Sequence, residues 1–238
     1  MHARLKPKLL PIAAQSARAA VQNRSATANA SATEVKTMAD IRVCFTKLGN
    51  LKYISHLDLQ RAIHRMLVRS GLPISYSEGF NPHPRLNIAL PLSIYQEGER
   101  ELCDFRLTEE VDASVIKEKL HSAAFPGLDI VSVEIADRKL TTKRAVWRLE
   151  LETDITADEF KTALSGEMKV IKRSKTGEKE VDISPMTRFV SCEEGNGVRI
   201  LRVELNAAGN DYLNPSYVAA FFGDRVKIKR VVRENIIF

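Results

Sequence analysis

Twice along the chain, from Ile41 and again from Ala145, an extended apolar run leads into a capped helix, further extended runs, a second helix and a closing strand. In the first pass Ile41–Phe45 reads as a strand. Ser55 with Asp58 three residues on opens a helix in the manner of a capping box, and Gly71 stops it. Leu59, Ala62, Ile63, Met66 and Leu67 fall on one face of that helix. Pro73–Tyr76, Leu86–Pro91 and Glu101–Leu107 read as extended. Asp112 is expected to cap a second helix with Val115, Ile116, Leu120 and Ala124 inward, followed by a strand at Leu128–Ile135.

The second pass repeats the order. Ala145–Glu152 is a strand, and Thr156 with Glu159 opens a helix with Phe160, Ala163 and Leu164 inside. Met168–Lys172 and Glu180–Ile183 pair around a Lys-Thr-Gly turn, and Arg188–Cys192 and Val198–Leu205 around Asn196-Gly197. Asn214-Pro215 starts a helix with Val218, Phe221 and Phe222 inward, and Val226–Val232 closes the chain as a strand. The order dictates an α+β class made of two tandem ferredoxin-like (βαββαβ-type) halves with antiparallel sheets, over residues 38–140 and 141–238.

Residues 1–37 stand outside this pattern. They are rich in Ala, Ser, Arg and Asn, with no acid before Glu34 and no sustained period. They read as a disordered extension, or as sequence upstream of a start at Met38. Their Arg- and Ser-rich bias is also that of a transit peptide. Across the whole chain 44% of residues are hydrophobic and 28% charged. No apolar run approaches the roughly 18 residues that span a bilayer, so no membrane partner is expected. Cys44, Cys103 and Cys192 are odd in number and widely spaced. They give no disulfide framework and no CxxC pair, and they fit a reducing, cytoplasmic compartment as small buried hydrophobes.

The net charge of +6 is uneven. Residues 41–85 hold seven basic residues against two acids, whereas residues 86–137 hold four against eleven. Arg61, Arg65 and Arg69 recur at i, i+4 on the first helix. That stripe reads either as a solvated face with Asp58 paired to Arg61 or as a phosphate-contacting surface. Ser77–Arg85 is Ser-Glu-Gly-Phe-Asn-Pro-His-Pro-Arg. Its glycine permits a turn, its prolines stiffen the exit, and Phe80, Asn81, His83 and Arg85 offer a stacking plane, an amide, an imidazole and a guanidinium. Such a set suits a splayed base and its phosphate, and a rigid turn with Phe80 in the core is the plain alternative.

Lys172, Arg173, Lys175 and Lys179 on a hairpin, and Arg225, Lys227 and Lys229 on the last strand, are further cation clusters for a phosphate track. His56 and His64 are eight residues apart, which is not a metal-binding pair, and no metal ligand set is expected. Ser55-His56-Asp58 cannot form a catalytic line from neighbouring positions at a helix start. His56 and His83 are the weak candidates for an acid/base group in metal-free RNA cleavage.

The run Arg42-x-x-Phe45-x-Lys47-x-Gly49, Tyr53-Ile54-Ser55-His56-Leu57-Asp58-Leu59, Arg61 and Arg65, then Leu72-Pro73 and Tyr76-Ser77-x-Gly79-Phe80-Asn81-Pro82-x-Pro84-Arg85 resembles a bacterial family of radical SAM-associated proteins, a domain of unknown function. The resemblance is strong over residues 41–91. It implies a radical SAM protein as partner, encoded nearby or fused. This chain lacks CxxxCxxC and cannot ligate the iron–sulfur cluster of such an enzyme, so no cofactor of its own is expected. The leading expectation is an RNA-binding accessory protein that presents ribosomal or transfer RNA to a separate radical SAM enzyme. Lys52, Arg61 and Arg65 would hold phosphates, Phe80 would stack, and Asn81, His83 and Arg85 would contact base or phosphate. A protein–protein adaptor without RNA and a metal-independent ribonuclease are the alternatives.

Overall fold

The computed structural model describes residues 40–174, 177–195 and 197–238. The expectations for residues 1–37 and for the turns through Lys175-Thr176 and Asn196 lie outside the described residues. Ten strands and four α-helices follow one another as β1 (Asp40–Lys47), α1 (His56–Arg69), β2 (Leu86–Ile88), β3 (Gln96–Arg106), α2 (Ala113–Ala123), β4 (Ile130–Ile135), β5 (Arg144–Thr153), α3 (Ala157–Ala163), β6 (Lys169–Ser174), β7 (Gly177–Asp182), β8 (Thr187–Gly195), β9 (Val198–Asn206), α4 (Ser216–Phe221) and β10 (Val226–Ile237).

Eight strands share one sheet in the order β4-β1-β3-β10-β5-β9-β8, with β2 also on β3, and β6-β7 form a separate hairpin. Every pairing is antiparallel except that of β3 with β10. The architecture is α+β with a mostly antiparallel sheet. β3 is the pivot. Its far end pairs with β2 through Ile88–Cys103, and its start, Gln96–Gly98, pairs in parallel with Val231–Arg233 of β10.

Local chemistry explains the helices. The Ser55 hydroxyl accepts the Asp58 amide at 3.2 Å and so satisfies one free donor of the first turn of α1. Gly71 takes φ +64° just past its end, where a Cβ would be strained. At α3 the reciprocal box forms, with Glu159 N donating to Thr156 Oγ1 and Thr156 N donating to Glu159 Oε2. Two apolar clusters result. Val43, Phe45, Ile63, Leu67, Phe105, Ile116 and Leu120 pack under α1 and α2. Trp147, Leu149, Phe160, Leu201, Val203 and Val218 pack under α3 and α4. Leu90 and Leu92, which follow β2, belong to the second cluster.

Several expectations are corrected, and β3 starts at Gln96 where Glu101 is expected. Val115 is exposed, because the buried stripe of α2 runs Ile116, Leu120, Ala123 and leaves position 115 one step off it. Asp112 occupies the cap position of α2 without a capping hydrogen bond. Residues 73–76 make only isolated bridges, Ile74 with Leu107 and Tyr76 with Pro84. β10 runs beyond Val232 to Ile237, bulging between Ile228 and Arg230 and between Arg233 and Asn235 where its charged residues break the alternation.

Candidate functional site

Two surface elements and one buried joint carry the polar chemistry. The first surface element is α1. It buries Leu59, Ile63, Met66 and Leu67 and leaves Leu57 and Val68 exposed. Its three arginines have three separate roles. Arg61 pairs with Asp58 at 2.9 Å, in the open. The Ser55 hydroxyl and then Arg61 hold the Asp58 carboxyl below the usual range. Arg69 donates to the carbonyl of Ala123 at 2.7 Å, at the C-terminal end of α2, where a cation opposes the helix dipole. Arg65 is exposed and has no hydrogen bond or ion pair among the described residues. The expected arginine stripe is thus a single free guanidinium flanked by two tied ones.

The second element is the loop 75–85. It is folded on itself: Arg85 N donates to Ser75 O (3.0 Å), Ser77 N to His83 O (2.8 Å) and His83 N to Ser77 Oγ (3.1 Å). Gly79 turns the chain at φ +118°. Pro84 is buried and Phe80 is fully exposed, which rejects the reading of Phe80 as a core plug. Asn81 and His83 are exposed as well. Arg85 donates to Tyr76 O at 3.2 Å and lies 3.6 Å from Glu78. The loop meets α1 through the His83 and His64 rings, whose centroids are 5.9 Å apart. Burial and then His83 push the His64 pKa down.

Lys52 lies in the last turn of a 3-10 helix, Gly49–Tyr53. Its ammonium stands 5.2 Å from the centre of the Tyr53 ring, which meets the Tyr95 ring edge-on at 5.9 Å. Both rings are exposed. Neither tyrosine carries an expected role from the sequence. Tyr53 lay in plain view inside the Tyr-Ile-Ser-His run, but no local signal links it to Tyr95.

His56 is half-buried with its pKa lowered by burial, and its Nδ1 has no hydrogen-bond partner among the described residues. It makes no ring contact with His83; His64 does. The Ser55 hydroxyl donates to Asp58 Oδ2 at 2.7 Å, so that pair caps the helix. Burial pushes all three thiols up. Among the described residues no group of three or more metal-ligating side chains occurs.

The last-strand cluster is neutralised, and the hairpin cluster is neutralised at Arg173 alone among the described residues. Arg225 bonds Asp154 and Glu159, Lys227 and Lys229 both reach Glu152, and Arg173 bonds Glu178. Lys172 stands 5.5 Å from the Tyr217 ring. Lys175 lies outside the described residues. On the sheet face turned away from α3 and α4, Arg148 bonds Glu99 (2.7 Å) and Glu234 (3.0 Å), and Arg202 bonds Glu193 (2.8 Å) and Glu234 (3.1 Å). A phosphate would have to displace those carboxylates to bind there.

The buried joint lies where β3 meets β10, and the sequence reading missed it. Arg233 is fully buried, forks onto Glu101 with Nε–Oε1 at 2.9 Å, donates to Leu90 O, and stacks 5.3 Å from the Trp147 ring. Lys47 is also fully buried and donates to Gln96 O at 2.9 Å. Burial pushes its pKa down to about 8. Burial pushes the Glu97 carboxyl up, but bonds from Arg230 and from the Gly49 amide (2.6 Å) outweigh it and hold the group low. Arg42 forks onto Asp104 with both contacts at 2.9 Å, one strand over.

A family model described as an uncharacterized protein conserved in bacteria (DUF2344) matches residues 40–215. No curated protein matches the chain. A chain in the crystal structure of a Cbf5-Nop10-Gar1 complex is similar at TM-score 0.44 and 9% identity, over 84% of this chain and 49% of that one. This protein therefore spans about half the length of that neighbour. Among the described residues no helix is long and apolar enough to cross a membrane.

Proposed function

The chain belongs to the DUF2344 family, conserved in bacteria, and we propose that it is an RNA-binding accessory protein. The observation that carries the reading is the loop 75–85. Its own hydrogen bonds fix it, and it holds Phe80 fully in solvent while its His83 packs on His64, the neighbour of the partnerless Arg65. Holding a bare aromatic ring in water gains the fold nothing, whereas a nucleotide base gains a stacking plane from it. Arg65 supplies the phosphate contact. Lys52, Asn81, His83 and Arg85 are the further polar contacts, and Arg61 joins only by giving up Asp58.

The wider setting of the proposal rests on the motif resemblance. The RNA, ribosomal or transfer, is presented to a radical SAM protein in the cytoplasm. We read the two halves as ferredoxin-like, since the orders β4-β1-β3-β2 and β10-β5-β9-β8 are the same permutation of first, second, third and fourth strands once the β6-β7 hairpin is set aside. Ultraviolet crosslinking of the full chain to bacterial RNA, followed by peptide mapping, tests the site. Crosslinks on the peptide carrying Phe80 are expected. Their absence, with crosslinks elsewhere or nowhere, would remove the loop from the interface.

One observation favours a second reading, an adaptor that docks the radical SAM partner without RNA. Leu57 and Val68 are 60% and 56% exposed on α1, beside Arg61 and Arg65. A complex that survives nuclease treatment and is lost in Leu57→Asp would support that reading.

A further inference from the structure

Tyr95 is strained, and the strain serves an exposed position. Among the described residues it is the one non-glycine with a left-handed backbone, φ 70°. A Cβ makes that conformation costly, and such residues gather at sites of function. Nothing in the core rewards it, because the ring is 70% exposed. The backbone is nonetheless held firmly. Tyr95 N donates to Lys52 O at 2.6 Å. The next residue, Gln96, is buried, accepts Lys47 Nζ on its carbonyl and donates from its side chain to Asn214 Oδ1 at 3.2 Å. The Gly49–Tyr53 turn that carries the facing ring is pinned in the same way by Gly49 N on the buried Glu97. Buried charges thus present two phenol rings at an interplanar angle of 82°, with the Lys52 ammonium beside them.

Resting on the RNA reading above, we propose that Tyr53 and Tyr95 form a preorganised platform for unpaired bases, with Lys52 on the adjoining phosphate, and that the RNA taken is single-stranded. The faces of bases inside a duplex are already covered by their neighbours, so a fixed ring can stack only on a base that is splayed out. Aromatic planes interleaved with cations are how single strands are gripped without a sequence code. A docked protein is the less fitting occupant, because the centres of protein interfaces are depleted in lysine, and here the Lys52 ammonium stands 5.2 Å from the Tyr53 ring centre.

The test uses the full chain and a fluorescein-labelled single-stranded RNA, with the same sequence closed into a hairpin duplex, by anisotropy. Wild type is expected to favour the single strand. Tyr95→Gly removes a ring and also relieves φ 70°, so single-strand affinity should fall about tenfold while Tm stays level or rises. Tyr53→Ala should lower the affinity similarly, and duplex binding should not change in either variant. Single-strand affinity unaltered in both variants, or a wild-type preference for duplex, overturns the platform. If Arg65→Ala with Phe80→Ala abolishes binding while the tyrosine variants bind normally, only this inference falls. No RNA binding by wild type fells both it and the reading it rests on. A protein partner lost in Tyr95→Gly at unchanged RNA affinity assigns the rings to protein and overturns it too.

Discussion

The loop around Phe80 and the joint around Arg233 use similar residue types in opposite ways. At the joint Arg233 and Lys47 are buried and answered, Arg233 by Glu101 and the Leu90 carbonyl and Lys47 by the Gln96 carbonyl, and one strand over Arg42 is answered by Asp104. On α1 and the loop, Arg65 and the Phe80 ring stand in water with no partner among the described residues. Burying a charge costs several kcal/mol unless it is paired, so the joint's chemistry is committed to holding β3 against β10. On this surface Arg65 and the Phe80 ring are left over among the described residues, and they are the groups able to meet another molecule without giving up a partner. The contrast teaches that cationic content says little until each cation's partner is known. Arg61, Arg65 and Arg69 look alike in the sequence, and of the three only Arg65 is without a partner among the described residues.

The contrast can be broken at either end. The largest effect is expected at the joint. Arg233→Met strands Glu101 in the core and should cost about 3–5 kcal/mol by urea unfolding, and removing both partners should cost clearly less than removing Arg233 alone. A cost under 1 kcal/mol would show that the pair is not buried in solution. Next is the pH dependence of Lys47. Its folded pKa of about 8 lies below its ordinary value near 10.5, so the unfolded chain binds more protons between those pH values and stability rises with pH there. Relative to Lys47→Met, wild type should gain about 3 kcal/mol from pH 8 to 10.5, with a constant difference below pH 8. Smaller again is the cap of α1, where Ser55→Ala should cost about 1 kcal/mol. Smallest is the loop itself: Phe80→Ala with Arg65→Ala should move Tm by no more than about 2 °C.

Local signals in the sequence resolve to local structure. Ser55-x-x-Asp58, Gly71, Thr156-x-x-Glu159 and the strands either side of Asn196-Gly197 all mark real boundaries, because each acts through backbone groups only a few residues away. The joint was not legible because Glu101 and Arg233 are 132 residues apart, and neither residue carries a pattern that points to the other. For the same reason β3 was expected to start at Glu101. The charged stretch before it, to which no element is assigned from the sequence, is paired across to β10 and β5. At the candidate site the loop's residue set and the pairing of Asp58 with Arg61 were visible, whereas the tie of Arg69 to α2 and the strain at Tyr95 belong to the folded chain alone.

The most direct measurement is RNA affinity of the full chain at low and moderate salt, wild type beside the Arg65→Ala and Phe80→Ala double variant, with Tm taken on the same samples. The account requires binding to weaken at least about tenfold and the salt slope to fall by about one, at unchanged Tm. Equal affinity and equal slope in the two proteins would contradict it, and the exposed charge and ring would then have to serve something other than RNA.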